Sequence, residues 1–270
     1  MGVNKIREEL GILVYLLADP VLSKGSVIKW ASPVISFGNI ASSRIATLGI
    51  NPSSREFIDD SGKELVGEKQ RFHTLKSLGL ARWSDAKEKD ISMILESCQE
   101  YFNRNPYDRW FKRLDYIISG TSMSYYFPSA EACHLDLIPY ATNPKWADLT
   151  TDQRVFLLEL AGDSLGLLLK KSSIALLVLN GQTVIDNLER IANIKLERKR
   201  MPSWTLYREQ DNVNGYSYSG VIDNIAGVYL EREIKVLGYN YNIQSSFGIT
   251  NQVQKAIRNW ITKQSEDIFE

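Results

Sequence analysis

Three apolar runs in this chain stop on residues that can bind or react: Gly49-Ile50-Asn51-Pro52-Ser53, His134-Leu135-Asp136-Leu137-Ile138-Pro139 and Gln244-Ser245-Ser246-Phe247-Gly248. The side chains there are an amide, an imidazole with a carboxylate two residues on, and an amide followed by two hydroxyls. Residues two apart in a strand share a face, so His134 and Asp136 are expected on the same side. Each stop alone fits an ordinary turn, because Asn, Pro, Ser and Gly are common in turns. In an open parallel α/β sheet, however, ligands bind beyond the carboxyl ends of the strands. Three polar strand ends in one chain are therefore expected to converge on one cleft.

The elements that would carry these stops are legible. Ile45 to Ile50, Ala132 to Ile138 and Ser173 to Leu179 read as buried strands, and Ile234 to Ile243 as a last strand. Helical periodicity runs from Ala86 to Phe102, from Tyr107 to Ile118 and from Gln182 to Asn193. A Thr150-Thr151-Asp152 cap opens a Leu-rich helix that reaches about Lys171. A helix is also expected from Arg71 to Leu80, and a final one from Thr250 to Ile261. Between Leu196 and Asn242 the pattern changes to short alternating runs, such as Trp204 to Tyr207 and Tyr216 to Ser219. Strands separated by helical stretches imply a largely parallel sheet with helices on both faces. No repeat, low-complexity tract or linker interrupts the chain. One domain over residues 1–270 is expected, with residues 1–40 as a helical extension packed on it.

At 270 residues the chain is long enough for one large α/β domain. Its formal net charge is zero, so no global positive field advertises a nucleic-acid partner, although local patches remain open. The densest such patch is Lys195 to Arg200 (KLERKR), either a solvated face or a track for a DNA backbone. In NPYDRWFKRLDYI, Trp110, Leu114 and Ile117 fit a core stripe that leaves Arg109, Lys112 and Arg113 for solvent or phosphate. Cys98 and Cys133 form no C-x-x-C pair, which argues against zinc or iron–sulfur ligation. The opening MGVNKIREELGILVYLLADPVL is broken by Arg7, Glu8 and Glu9 and stops at Asp19-Pro20. It reads as an amphipathic helix of a cytoplasmic protein, not as a signal peptide or membrane span.

The GINPS that follows a hydrophobic strand resembles the first motif of the uracil-DNA glycosylase superfamily, especially the branch of mismatch-specific thymine and uracil glycosylases. Arg71-Phe72, the HLDLIPYATN strand end, ALLVLNGQTV and the QSSFG loop before the last helix follow in the family's order. The likeness covers roughly residues 40 to 262. It implies a three-layer α/β/α fold around a central, mostly parallel four-stranded sheet. It also implies that Asn51 orients the hydrolytic water through its side-chain oxygen. Phe72 stands where the family offers an aromatic platform under the flipped base, or else it anchors the core. Family members that remove uracil carry Asn where this chain has Asp136. An ionised carboxylate only accepts hydrogen bonds, which suits the exocyclic amine of cytosine; a protonated one could donate to the cytosine ring nitrogen. Asp136 could equally cap the following loop, and His134 could assist at the base or simply be buried. Asp59 and Asp60 could supply negative charge or lie exposed in their loop.

By the same resemblance the last loop enters the minor groove, with Gln244, Ser245 and Ser246 in place of the usual His-Pro-Ser. Ser53 and Arg71 would join these three in contacting DNA. The expected activity is therefore that of a monofunctional DNA glycosylase without metal or cofactor. It would flip out and excise a modified base and leave an abasic site. A cytosine derivative is favoured. The chain also looks like bacterial antiphage members of the superfamily that excise glucosylated hydroxymethylcytosine from viral DNA. The expected partner of a monomer is double-stranded DNA, and no membrane. The alternative is a catalytically silent module that binds DNA by a flipped or modified base.

Overall fold

The computed structural model describes residues 2–208, 211–246 and 248–269. Among them, six strands form a single mixed sheet: β1 (Ile45–Gly49), β2 (Ala132–Asp136), β3 (Leu176–Asn180), β4 (Glu197–Arg200), β5 (Tyr216–Ile225) and β6 (Val228–Tyr239). Their spatial order is β2-β1-β3-β6-β5-β4. The β2–β1, β1–β3 and β3–β6 pairings are parallel, whereas β6–β5 and β5–β4 are antiparallel. The expected four-stranded sheet is thus corrected to a six-stranded mixed one.

The two additional strands come from the region of alternating runs. β5 turns into β6 through Ala226-Gly227, both with positive φ (47° and 83°), next to the Ile225–Val228 pair. Two consecutive positive φ values make the tight hairpin turn whose twist matches antiparallel strands. The Asn224 side chain accepts from the Gly227 N–H at 3.1 Å. Ala-Gly lacks the Asn-Gly signature of such turns, so the hairpin is hard to see in sequence. It carries the last strand back to Val228, well before the expected Ile234. The basic run Glu197–Arg200 becomes β4, exposed at every residue on the sheet's outer edge. Charged residues on an edge discourage pairing with another chain.

Six α-helices surround the sheet among the described residues: α1 (Gly2–Leu16), α2 (Glu88–Gln99), α3 (Asp108–Ile118), α4 (Thr151–Lys170), α5 (Gln182–Ala192) and α6 (Asn251–Phe269). The Thr150 cap of α4 forms, and it is reciprocal: Gln153 N–H donates to Thr150 Oγ1 at 3.2 Å and Thr150 N–H to Gln153 Oε1 at 2.9 Å. On α3 the buried stripe is Phe111, Leu114, Ile117 and Ile118, with Trp110 only half-buried, one position off the expected stripe. The expected helix from Arg71 to Leu80 is absent; the segment is a series of turns. There the Thr74 N–H donates to the Ser77 hydroxyl at 2.8 Å and the Ser77 N–H to Thr74 Oγ1 at 3.1 Å. Such side-chain partners compete with a helical ladder.

Helices cover both faces of β6. Lys235 pairs with Asp267 of α6 at 2.7 Å, while a Cβ on Gly238, on the opposite face, would meet Ile185 of α5. The N-terminal segment is part of the same core: Ile6, Leu10, Leu13, Val14 and Leu17 are buried in one cluster with the strands. Phe37 bridges to His134 along the outer side of β2. No helix among the described residues is long and apolar enough to cross a membrane.

Candidate functional site

Parallel register brings the strand ends together. Gly49 lies beside Asp136, Thr47 beside His134, and Asn180 beside Tyr239. The β1–β2 pairing continues past the strands, with Ile138 N–H donating to Ile50 O at 2.9 Å. Asn51 therefore runs alongside the Pro139-Tyr140 segment. Its Nδ2 donates to Tyr140 O at 3.2 Å, to Thr142 Oγ1 at 3.1 Å and to Pro52 O at 3.3 Å. Two of these acceptors are carbonyls, so the nitrogen must face them. Asn51 Oδ1 has no hydrogen-bond donor among the described residues and stays available as an acceptor.

His134 and Asp136 share a face of β2 with Thr47 and Gly49 of β1. His134 Nδ1 lies 2.7 Å from Thr47 Oγ1, which also bonds the Tyr125 hydroxyl, and Nε2 lies 3.5 Å from Asp136 Oδ1. The imidazole is buried, its ring centroid 5.4 Å from those of both Phe37 and Phe111. Thr47 thus holds His134 by Nδ1, and Nε2 faces the Asp136 carboxylate. Gly49 makes it possible: a Cβ there would stand 2.9 Å from His134 Nε2 and nearer still to Asp136 Oδ1. The Asp136 side chain is itself only 4% exposed.

The acidic charge next to this pair is not Asp59 or Asp60. Asp59 caps its own loop by accepting from Ser61 and Lys63 N–H, and Asp60 pairs with Arg55 in solvent. Glu56 is buried instead, in the turn Ser54–Glu56 that Ser53 caps by accepting from Arg55 N–H at 3.2 Å. The Tyr101 hydroxyl donates to Glu56 Oε2 at 2.8 Å and accepts from Tyr107 N–H at 2.8 Å. Burial pushes the Glu56 carboxyl up to about 7; Arg71 and the Tyr101 bond pull it down and Asp136 pushes it further up. Burial also drives the Tyr101 hydroxyl well above its usual range. Nothing in SSREFIDDSGKE marks Glu56 out, because a charged run of this kind reads as a solvated loop.

Arg71 is committed inside the protein. Its Nε donates to Asn105 O at 3.1 Å and its Nη1 to Arg55 O at 2.7 Å, with Tyr107 stacked against the guanidinium. Phe72 is a core residue here, 1% exposed. Tyr101 stacks on it at 5.2 Å and 14°, and the Phe37 and Phe57 rings lie at 5.3 and 5.8 Å. Of its two sequence readings, platform and core anchor, the structure displays the second. A hollow of about 560 Å³ lies beyond Arg71, lined in part by His73, Met93, Glu96 and Arg104; Asn51 and Asp136 are not on its wall. Cys98 and Cys133 are buried free thiols, their pKa values pushed up by burial to about 11 and about 12.

The last loop is tied to the end of β3. Asn180 Nδ2 donates to Gln244 Oε1 at 2.7 Å, and Asn180 Oδ1 accepts from Ile243 N–H at 3.0 Å. Asn242 Oδ1 accepts from the N–H groups of Gln244 and Ser245, both at 3.1 Å. Arg113 Nη1 reaches the Ile243 and Gln244 carbonyls at 3.4 Å. The Ser246 hydroxyl accepts from Asn242 N–H, Ser245 is exposed, and Phe247 lies outside the described residues. Gln244 Nε2 is buried without an acceptor among the described residues. The role of Asn180 as the loop's anchor appears only in three dimensions. No protein-family model matches this chain, and no curated protein matches it in sequence.

Proposed function

We propose that this chain is a DNA N-glycosylase that excises a cytosine-type base from double-stranded DNA. The observation that carries the reading is the fastening of Asn51 through its nitrogen, which presents Oδ1 at the sheet's carboxyl edge as a preorganised acceptor for a water. An amide is too weak a base to ionise that water, so orientation and electrostatics must lower most of the barrier. In the reaction the C1′–N bond breaks and its electron pair leaves with the base. The water oxygen forms the C1′–O bond and its proton ends on the departing base, while the positive charge developing on the sugar favours the acidic surroundings of Asp136 and Glu56.

Asp136, oriented by His134, is the proposed reader of the base edge, with cytosine or a 5-substituted derivative such as glucosylated hydroxymethylcytosine as target. Gln244 Nε2, without an acceptor among the described residues, is free to donate to the base or the DNA backbone. The parallel strands β2-β1-β3-β6 with helices on both faces fit the three-layer uracil-DNA glycosylase architecture, with β4 and β5 as an added edge. The reading calls for a monomer on duplex DNA in the cytoplasm, without metal or cofactor.

The test is a panel of duplexes containing uracil, cytosine, hydroxymethylcytosine or glucosylated hydroxymethylcytosine, incubated with the protein and then cleaved with alkali. Strand breaks at a cytosine derivative, lost in Asn51→Ala, are the expected result. Binding without breaks on every duplex would replace the enzyme with a module that reads a flipped or modified base.

A further inference from the structure

We propose that Arg198 and Arg200 of β4 form a contact surface for the phosphate backbone of duplex DNA, to one side of the candidate site. The inference rests on the glycosylase reading above and adds where the duplex lies. β4 is antiparallel to β5, and β5 to β6, so β4 runs in the same direction as β6 and ends at the sheet's carboxyl edge. Arg200, its last residue, therefore stands on the edge that also carries Asn51, Asp136 and Asn180. Four strand spacings separate β1 from β4, about 19 Å, which is the length of about five or six base pairs of duplex.

Alternation divides the basic run between two faces. Glu197 and Lys199 share one face and pair with each other at 3.0 Å, and Lys195, ahead of the strand, pairs with Glu189 at 2.7 Å. Arg198 and Arg200 share the other face, opposite Tyr218 and Tyr216, with no carboxylate partner among the described residues. The Arg198 guanidinium lies over the Tyr216 ring at 3.7 Å, and Arg200 Nη2 donates to Asn214 Oδ1 at 3.0 Å. Both partners are neutral, so the two exposed guanidinium groups are oriented without being neutralised. A guanidinium held this way keeps N–H groups for phosphate oxygens. Asn240 ties this corner to the end of β6: its Nδ2 donates to Asn214 O at 3.0 Å, and its Oδ1 accepts from Tyr216 N–H at 2.8 Å. Arg208, in the connection from β4 to β5, reaches the last loop, its Nε 3.8 Å from where a Cβ on Gly248 would stand. Positive charge thus runs from β4 towards the loop that follows β6.

The test is duplex binding by fluorescence anisotropy over a range of salt, with an unmodified duplex and one containing glucosylated hydroxymethylcytosine. Arg198→Gln combined with Arg200→Gln should make the slope of log affinity against log salt shallower by about two. It should also weaken both duplexes by the same factor, since phosphate contacts carry no sequence information. Lys195→Gln combined with Lys199→Gln makes the same change in charge and should keep the wild-type slope. An unchanged slope in the arginine variant would overturn the proposal, as would equal losses in the two double variants. If the arginine variant fails to fold, side-chain Nε–H NMR of the wild type decides: the Arg198 and Arg200 signals must shift on adding duplex. A wild type that excises a base, with an arginine variant that binds as the wild type does, removes this surface and leaves the glycosylase reading standing. Duplex binding that depends on the two arginines without excision of any base keeps the surface and removes that reading. A wild type that binds no duplex at low salt removes both.

Discussion

Gly49 illustrates how little room the candidate site has. Parallel pairing puts its Cα beside that of Asp136, and a side chain there would occupy the space of the carboxylate and the imidazole. Gly49→Ala is expected to displace Asp136 from His134 and to destabilise the protein by about 1–3 kcal/mol through overpacking. Thermal unfolding checks the stability, and a crystal structure checks the displaced carboxylate. Glu56 gives a second expectation at this scale. Its folded pKa of about 7 lies above the usual carboxylate value of 4.5, so the native state holds the proton more tightly than the unfolded chain. Between these two values the native state binds more protons, and its stability must fall as pH rises. From pH 4.5 to 7 this loss is on the order of 3 kcal/mol. Glu56→Gln removes the titrating group, so urea unfolding across that window should show the variant gaining on the wild type by about that much.

At the scale of elements, the loop after β6 is held by a residue on a different strand. Asn180 closes β3 and holds the loop by two hydrogen bonds, to Gln244 and to the Ile243 N–H. Asn180→Ala leaves both partners unpaired and should cost about 1–3 kcal/mol of stability. Because the change is confined to the end of β3, residues 242–246 should gain amide hydrogen exchange while α4 and β1 keep their protection. The same variant should weaken duplex binding, measured by fluorescence anisotropy, if this loop meets DNA. The β5–β6 hairpin acts at this scale too. It extends the sheet past β6 and leaves charged β4 as the edge, so the strand end that carries the loop is flanked on both sides.

For the whole molecule, the relation of the N-terminal segment to the sheet decides what can be removed. Ile6, Leu10, Leu13, Val14 and Leu17 are each at most 3% exposed and belong to the cluster that contains β1, β2 and β3. Burial of each such side chain is worth roughly 1.5–3 kcal/mol, and together they approach the net stability of an ordinary domain. Deleting residues 1–19 should therefore lower the unfolding midpoint of the whole protein by 10 °C or more, read by circular dichroism, rather than trim a separable extension.

The sequence by itself determined β1, β2 and β3, most of the helices, and the polar character of the strand ends. These follow from periodicity, apolar runs and caps, all of which are local. Side-chain pattern also placed His134 and Asp136 on one face, since alternation in a strand is local too. It could not reveal the β5–β6 hairpin, whose Ala-Gly turn carries a weak signal, nor the absence of a helix at Arg71 to Leu80, where Thr74 and Ser77 redirect the backbone. Only the tertiary structure decided that Glu56 is buried, that Phe72 and Arg71 are enclosed, and that Asn180 holds Gln244. Those facts depend on which distant segments close over a residue. A side chain's charge state and freedom are set by that enclosure and not by its neighbours in the chain.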